Sequence, residues 1–114
     1  MKTNLTYLKN MSGGNPEVIR EMIGLFIEQV QEISEAMLQS LELKDWVSLS
    51  KLAHKAKSSV SIMGMNDLAE KLKYLEHSAF EEKDIDSYQP IVNQFMVDCS
   101  DAIEELKNYE LAVK

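Results

Sequence analysis

The chain has 114 residues, of which 45% are apolar, and it carries a formal net charge of −7. This length suits one domain, and the apolar fraction argues against disorder. Four glycines and two prolines are too few for the many turns of an all-β fold. The negative charge argues against a nucleic-acid partner, because binding phosphates requires clustered cations. Two histidines and no Glu-x-x-His pair argue against a zinc or di-iron site.

The cysteine content and the length of the apolar runs bear on the cellular compartment. A single cysteine excludes an internal disulfide and suits a reducing compartment. No apolar run approaches the roughly 20 residues that a membrane span needs. The first ten residues, MKTNLTYLKN, lack the apolar core of a signal peptide. We therefore expect a cytoplasmic protein that does not associate with a membrane.

Good helix formers dominate the chain, and apolar residues recur at steps of three and four. The sequence predicts a short first helix over about 4–11, a second over Pro16–Leu41 and a third over Asp45–Met63. A fourth helix is predicted to be capped by Asn66 or Asp67 and to carry the apolar residues from Leu68 to Ala79, and a fifth runs from Ile85 or Asp86 to Leu111. Asn15 is a suitable N-cap before Pro16, and Gly64 is a suitable residue to end the third helix. Residues 42–44 and 81–84 are the predicted links.

Short links between long amphipathic helices favour antiparallel neighbours. The sequence therefore predicts an all-α fold, an antiparallel four-helix bundle with a short extra N-terminal helix. We expect a single domain over residues 1–114. The apolar stripe of the fifth helix runs from Tyr88 to Tyr109, and Cys99 within it is expected to fill the core.

One residue of the third helix, His54, lies away from the apolar stripe. On a helical wheel it falls about 130° from the centre of that stripe, which predicts an exposed imidazole. Its neighbours on the wheel are mostly small or polar: Val47, Ser50, Lys57, Ser58 and Ser61. Small neighbours would let another folded surface reach the ring. The alternative is an ordinary surface histidine, which is how we interpret His77 near the end of the fourth helix.

The charge of the chain is unevenly distributed. Between Leu43 and Asn66 there are four lysines and one aspartate, a net charge of +3, so the rest of the chain carries −10. A basic segment in an acidic protein favours an acidic partner surface by electrostatic steering.

The segment Ala53–Ser59, with Gly64 ten residues after His54, resembles the histidine phosphotransfer (Hpt) domain. In that family a phosphorylatable histidine on an exposed helix face is followed by Lys at +3, usually Gly at +4, a small residue at +5 and Gly at +10. Here these places hold Lys57, Ser58, Ser59 and Gly64. Tyr7-Leu8, the segment 12–15 and Asp45-Trp46 are also similar to the family pattern, so the resemblance spans about residues 5–80. Ser58 departs from the usual Gly, which narrows access to the imidazole.

The resemblance implies a phosphorelay intermediate without an ATP site or kinase activity of its own, and hence not an enzyme. His54 would accept a phosphoryl group from a receiver-domain aspartate and pass it to another receiver. Lys57 would offset the phosphoryl charge. Glu76 would accept a hydrogen bond from Nδ1–H of the imidazole; the alternative is that Glu76 is one more solvated acid. The residues expected to contact the partner are Ser50, Lys51, Lys55, Ser58, Ser61 and Gly64.

The implied partners are response-regulator receiver domains and a sensor or hybrid histidine kinase. No cofactor is expected, since the receiver would supply Mg²⁺. The alternative function is an adaptor that docks a receiver or a partner helix without accepting phosphate. Because the apolar stripes are used within one chain, we expect a monomer, although Leu5, Leu8 or Met11 could offer a dimer patch.

Overall fold

The computed structural model describes residues 3–112 of the chain, and the side chains of residues 3–108. Tyr109 and its predicted place in the core lie outside the described side chains. The helices are α1 (Thr6–Ser12), α2 (Pro16–Leu43), α3 (Trp46–Ile62), α4 (Asn66–Glu81) and α5 (Tyr88–Ala112), with a short 3₁₀ turn at Ile85–Ser87. The predicted all-α bundle with a short N-terminal helix is confirmed, and the described part contains no strand.

The arrangement of the four long helices follows from their apolar stripes. Helix α3 packs chiefly on α4 and α2, whereas α5 packs on α2 and α4, so α5 lies across the bundle from α3. Each stripe faces one shared core, whose fully buried members include Phe95, Leu72, Leu49 and Met37. Trp46 and Tyr88 meet edge to face with their ring centroids 5.2 Å apart, which closes the core at one end.

Several helix boundaries differ from those predicted, because turn geometry decided them. Helix α2 runs on to Leu43, since Lys44 takes a left-handed conformation with φ 55° and its N–H donates to the Leu41 carbonyl. The expected link over residues 42–44 therefore shrinks to Lys44 and Asp45. Helix α3 ends at Ile62 rather than Met63. The N-cap of α4 is Met65 rather than the expected Asn66 or Asp67, which already lie within the helix.

Side-chain caps hold two helix starts, at Asn15 as predicted and at Asp45, which was expected to be the first residue of the third helix. The Asn15 side chain accepts a hydrogen bond from the Glu17 N–H at 3.0 Å, directly before α2, so the predicted cap is confirmed. Asp45 caps α3 by accepting from the Ser48 N–H and hydroxyl at 3.1 and 2.7 Å. These hydrogen bonds lower the pKa of the Asp45 carboxyl. The second cap fixes where the helix that carries His54 begins.

The N-terminal segment crosses the turn between α3 and α4. The Asn4 N–H donates to the Met63 carbonyl at 3.0 Å, and the Asn4 side chain accepts from the Thr6 N–H. Leu8 of α1 is fully buried in its own chain, while Met11 is exposed. Leu8 is therefore not available to the dimer patch considered from the sequence. Among the described residues, no helix is both long and apolar enough to cross a bilayer.

Candidate functional site

The structure presents His54 on the outer face of α3. Ala53 and Ala56, on either side of it in sequence, are fully buried and small, which lets α3 lie close to its neighbours. The same helical period that buries these alanines turns His54 outward, and its side chain is 64% exposed.

A carboxylate from the neighbouring helix bridges two side chains of α3. Glu76 Oε2 lies 3.0 Å from Nδ1 of His54, and Glu76 Oε1 accepts from Nζ of Lys57, also at 3.0 Å. The Ser50 hydroxyl donates to the Glu76 backbone carbonyl at 2.8 Å, which fixes the height of α4 against α3. The cluster is partly shielded, since the Lys57 and Glu76 side chains are only 28% and 23% exposed.

The electrostatics of this cluster determine the tautomer of the imidazole. Burial raises the pKa of Glu76, but the hydrogen bond and charge of Lys57, with a smaller contribution from His54, outweigh it and leave the pKa below its ordinary value. Glu76 is therefore an ionised carboxylate at neutral pH and can only accept hydrogen bonds. Nδ1 of His54 must then carry the proton, and in the neutral ring Nε2 keeps its lone pair.

Comparison with protein families agrees with this geometry. The family model that describes the Hpt domain matches residues 21–109, a span that contains His54, Lys57 and Glu76. The chain belongs to the Hpt domain family. Hpt domains are phosphocarrier modules that work with receiver domains and kinases in two-component phosphorelays. A search of curated proteins and a search of solved structures each found no match.

Four residues predicted to meet a partner lie on the exposed face of α3 of this Hpt domain. Lys51, Lys55, Ser58 and Ser61 are all exposed. The Ser61 hydroxyl donates to the Lys57 carbonyl at 2.8 Å, so it is held against its own helix. Ser58 and Ser61 are small and Lys51 and Lys55 are basic, so the surface around the imidazole is positively charged and has few bulky side chains close to the ring.

For two residues, Ser50 and Gly64, the structure corrects the predicted contact with a partner. Ser50 is buried, at 6% exposure, because it faces α4 and its hydroxyl is bonded to the Glu76 carbonyl. Gly64 is half-buried beneath the backbone of Asn4, at a φ of +74°. Both residues therefore hold the fold that presents His54, and neither forms part of an open partner surface. A wheel of one helix could not show this, because the covering groups come from α4 and the N-terminal segment.

Sequence reasoning also missed an exposed aromatic residue on the helix that carries Glu76. Phe80 of α4 is 75% exposed and follows Glu76 by one helical turn. The spacing of four residues puts Phe80 on the same side of α4 as Glu76. This spacing could point to Phe80 only after Glu76 itself had been placed next to His54. Within the described residues, no group of three or more His, Cys, Asp or Glu side chains could hold a metal ion.

Proposed function

We propose that this Hpt domain accepts a phosphoryl group on Nε2 of His54 from a receiver-domain aspartate and passes it to a second receiver. The observation that carries the proposal is the hydrogen bond between His54 Nδ1 and the ionised Glu76 carboxylate on an exposed helix face. It supports an imidazole whose other nitrogen is free to act as a nucleophile.

The transfer balances without an outside acid or base. Nε2 of the neutral imidazole forms a bond to phosphorus, and the bond between phosphorus and the aspartyl oxygen breaks, so the aspartate leaves as a carboxylate. Nδ1 keeps its proton throughout. The product is a phosphorylated imidazolium, whose positive charge is stabilised by Glu76 at 3.0 Å. Transfer to the second receiver runs the same steps in reverse.

Lys57 is proposed to offset the negative charge that the phosphoryl group brings to this face. It lies one turn after His54 on α3, within reach of a group on that side chain. Its ammonium already pairs with Glu76 at 3.0 Å, which holds the long side chain near the imidazole before the partner arrives. The receiver would supply Mg²⁺ and most of the stabilisation of the transferring group.

The basic stretch of α3 supports an acidic receiver surface as the partner. Lys51 and Lys55 are exposed on the helix that carries His54, in a chain whose net charge is −7. Opposite charge speeds the encounter and disfavours wrong orientations. A monomer acting in the cytoplasm, with a sensor or hybrid histidine kinase upstream, fits this proposal.

The test is transfer from receiver domains phosphorylated with radiolabelled acetyl phosphate. The parent should gain a label that is stable to base and labile to acid, and the His54→Gln variant should gain none while keeping its helical circular dichroism. His77→Gln is the matched control and should be labelled like the parent. Label retained by His54→Gln would contradict the assignment. Binding of a receiver with no label on the parent would favour the adaptor instead.

A further inference from the structure

Glu76 of α4 is held at its backbone as well as at its side chain. The carboxylate contacts His54 and Lys57, each at 3.0 Å, while the backbone carbonyl accepts from the Ser50 hydroxyl at 2.8 Å. A helix carbonyl that accepts from the N–H four residues on has a second lone pair, so Ser50 adds to the helical hydrogen bond rather than replacing it. Ser50 thus joins α3 to the residue of α4 that is bonded to the imidazole.

Ser50 lies beneath the site rather than on its surface. It precedes His54 by four residues, so the two side chains lie on the same side of α3. Ser50 is only 6% exposed, whereas the His54 side chain is 64% exposed. Because water competes little with a buried hydrogen bond, this one is suited to fixing the distance between two helices. Its effect on the imidazole has to pass through α4.

The contact between Glu76 and His54 tolerates little movement of α4. Hydrogen bonds from N–H to oxygen lie within about 2.7–3.2 Å. The contact is 3.0 Å long, so a shift of about 0.5 Å along it, about a third of the rise of one helical residue, would take it out of that range. Apolar packing is non-directional, and the core residues nearest His54 in sequence, Ala53 and Ala56, offer only methyl groups. A directional hydrogen bond supplies the precision that this packing lacks.

We propose that Ser50 is a positioning residue for phosphotransfer, an inference that rests on the proposed function. Through the Glu76 carbonyl it holds the carboxylate in register with Nδ1 of His54, which keeps the proton on Nδ1 and the lone pair on Nε2. Without the hydroxyl, α4 shifts, the neutral ring populates both tautomers, and Nε2 is less often free to attack. Ser50 itself takes no part in making or breaking bonds to phosphorus.

The first test reads which nitrogen of His54 carries the proton, by NMR of the protein with nitrogen-labelled histidine at about pH 9. In the parent the proton should lie on Nδ1, and in Ser50→Ala a mixture with the Nε2–H tautomer should appear. The Glu76 carbonyl keeps its helical hydrogen bond in this variant, so the substitution leaves no buried acceptor without a partner. His77, which is exposed, reports an ordinary ring in the same spectrum.

Ser59→Ala is the matched control. Ser59 is 8% exposed, and its hydroxyl also joins α3 to another helix, donating to Oε1 of Gln29 in α2 at 2.7 Å. Each variant therefore removes one buried hydrogen bond between helices, but only Ser50 is bonded to Glu76. Ser59→Ala should keep the tautomer of the parent. The same mixture in both variants would show a general loosening of α3 and overturn the proposal, as would the tautomer of the parent in Ser50→Ala.

The second test measures the rate at which phosphoramidate, a small donor that releases ammonia, labels His54. Ser50→Ala should slow labelling about three- to tenfold, and Glu76→Ala should slow it at least as much. Adding Ser50→Ala to Glu76→Ala should have no further effect, because both act through one carboxylate. An equal slowing by Ser50→Ala with and without Glu76 would overturn the proposal. If phosphoramidate labels the parent but no phosphorylated receiver does, the proposed function fails, while the tautomer still decides whether Ser50 positions Glu76.

Discussion

Replacing Gly64 with alanine should cost far more stability than its place in a short turn suggests. A Cβ at this position would lie 2.8 Å from the backbone nitrogen of Asn4, 2.7 Å from its Cβ and closer still to its carbonyl oxygen. Backbone atoms cannot swing aside as a flexible side chain can. The N-terminal segment would have to leave the turn between α3 and α4.

The expected magnitude follows from two effects. At the φ of +74° observed here, a residue with a Cβ costs about 1–2 kcal/mol. Lifting the segment also breaks the hydrogen bond from the Asn4 N–H to the Met63 carbonyl, worth about 1 kcal/mol, and loosens the contact between Thr3 and Glu105. Together the free energy of unfolding should fall by about 2–4 kcal/mol.

Two other glycines provide controls that separate these effects. Gly13 has a φ of +65° but nothing within 4 Å of its added Cβ, so Gly13→Ala should show only the backbone cost of about 1–2 kcal/mol. Gly24 lies within α2, also with nothing within 4 Å, and Gly24→Ala should stabilise the protein by about 0.5–1 kcal/mol.

The assay is urea unfolding followed by the fluorescence of Trp46, the only tryptophan, which packs against Tyr88 in the folded state. From the most to the least stable, the order should be Gly24→Ala, the parent, Gly13→Ala and Gly64→Ala. A cost for Gly64→Ala no greater than that for Gly13→Ala would refute the steric reasoning. At urea concentrations below its unfolding transition, the Gly64→Ala variant should still accept a phosphoryl group, because Gly64 is not part of the open face around His54.

Four further outcomes are expected. Ser58→Trp should slow transfer strongly while changing stability by less than about 0.5 kcal/mol, and Ser58→Gly should transfer at least as fast as the parent, both measured with a phosphorylated receiver. Folding lowers the pKa of Glu76, so the stabilisation that its carboxylate provides is present above its unfolded value of 4.5 and is lost as the pH falls through the folded value. The difference in urea stability between the parent and Glu76→Gln should therefore shrink as the pH is lowered from 4.5. Burial, with a smaller contribution from Asp98, raises the pKa of the Cys99 thiol to about 12, so a thiol reagent at neutral pH should react with it only after unfolding. Sedimentation at micromolar concentration should show a monomer, and a stable dimer would contradict the expectation that the apolar stripes are satisfied within one chain.

The local pattern of the sequence determined the helices and the side of α3 on which His54 lies. Apolar steps of three and four report burial on one helix at a time, so the exposed imidazole and the buried Ala53 and Ala56 follow from the same period. Lys57 could be placed near His54 because residues three apart share a helix face. The apolar stripe around Cys99 likewise predicted its burial, which the structure confirms.

The register between α3 and α4 was decided only by the tertiary structure. A wheel cannot state the height at which two helices meet. The family resemblance implied the hydrogen bond between His54 and Glu76, but only that height makes Glu76 also the partner of Lys57. The same register buries Ser50, which the wheel alone places near the open face. Gly64 is required by the backbone of Asn4, sixty residues earlier in the chain. Such contacts join distant segments, and their geometry depends on how the whole core packs rather than on the spacing of nearby residues.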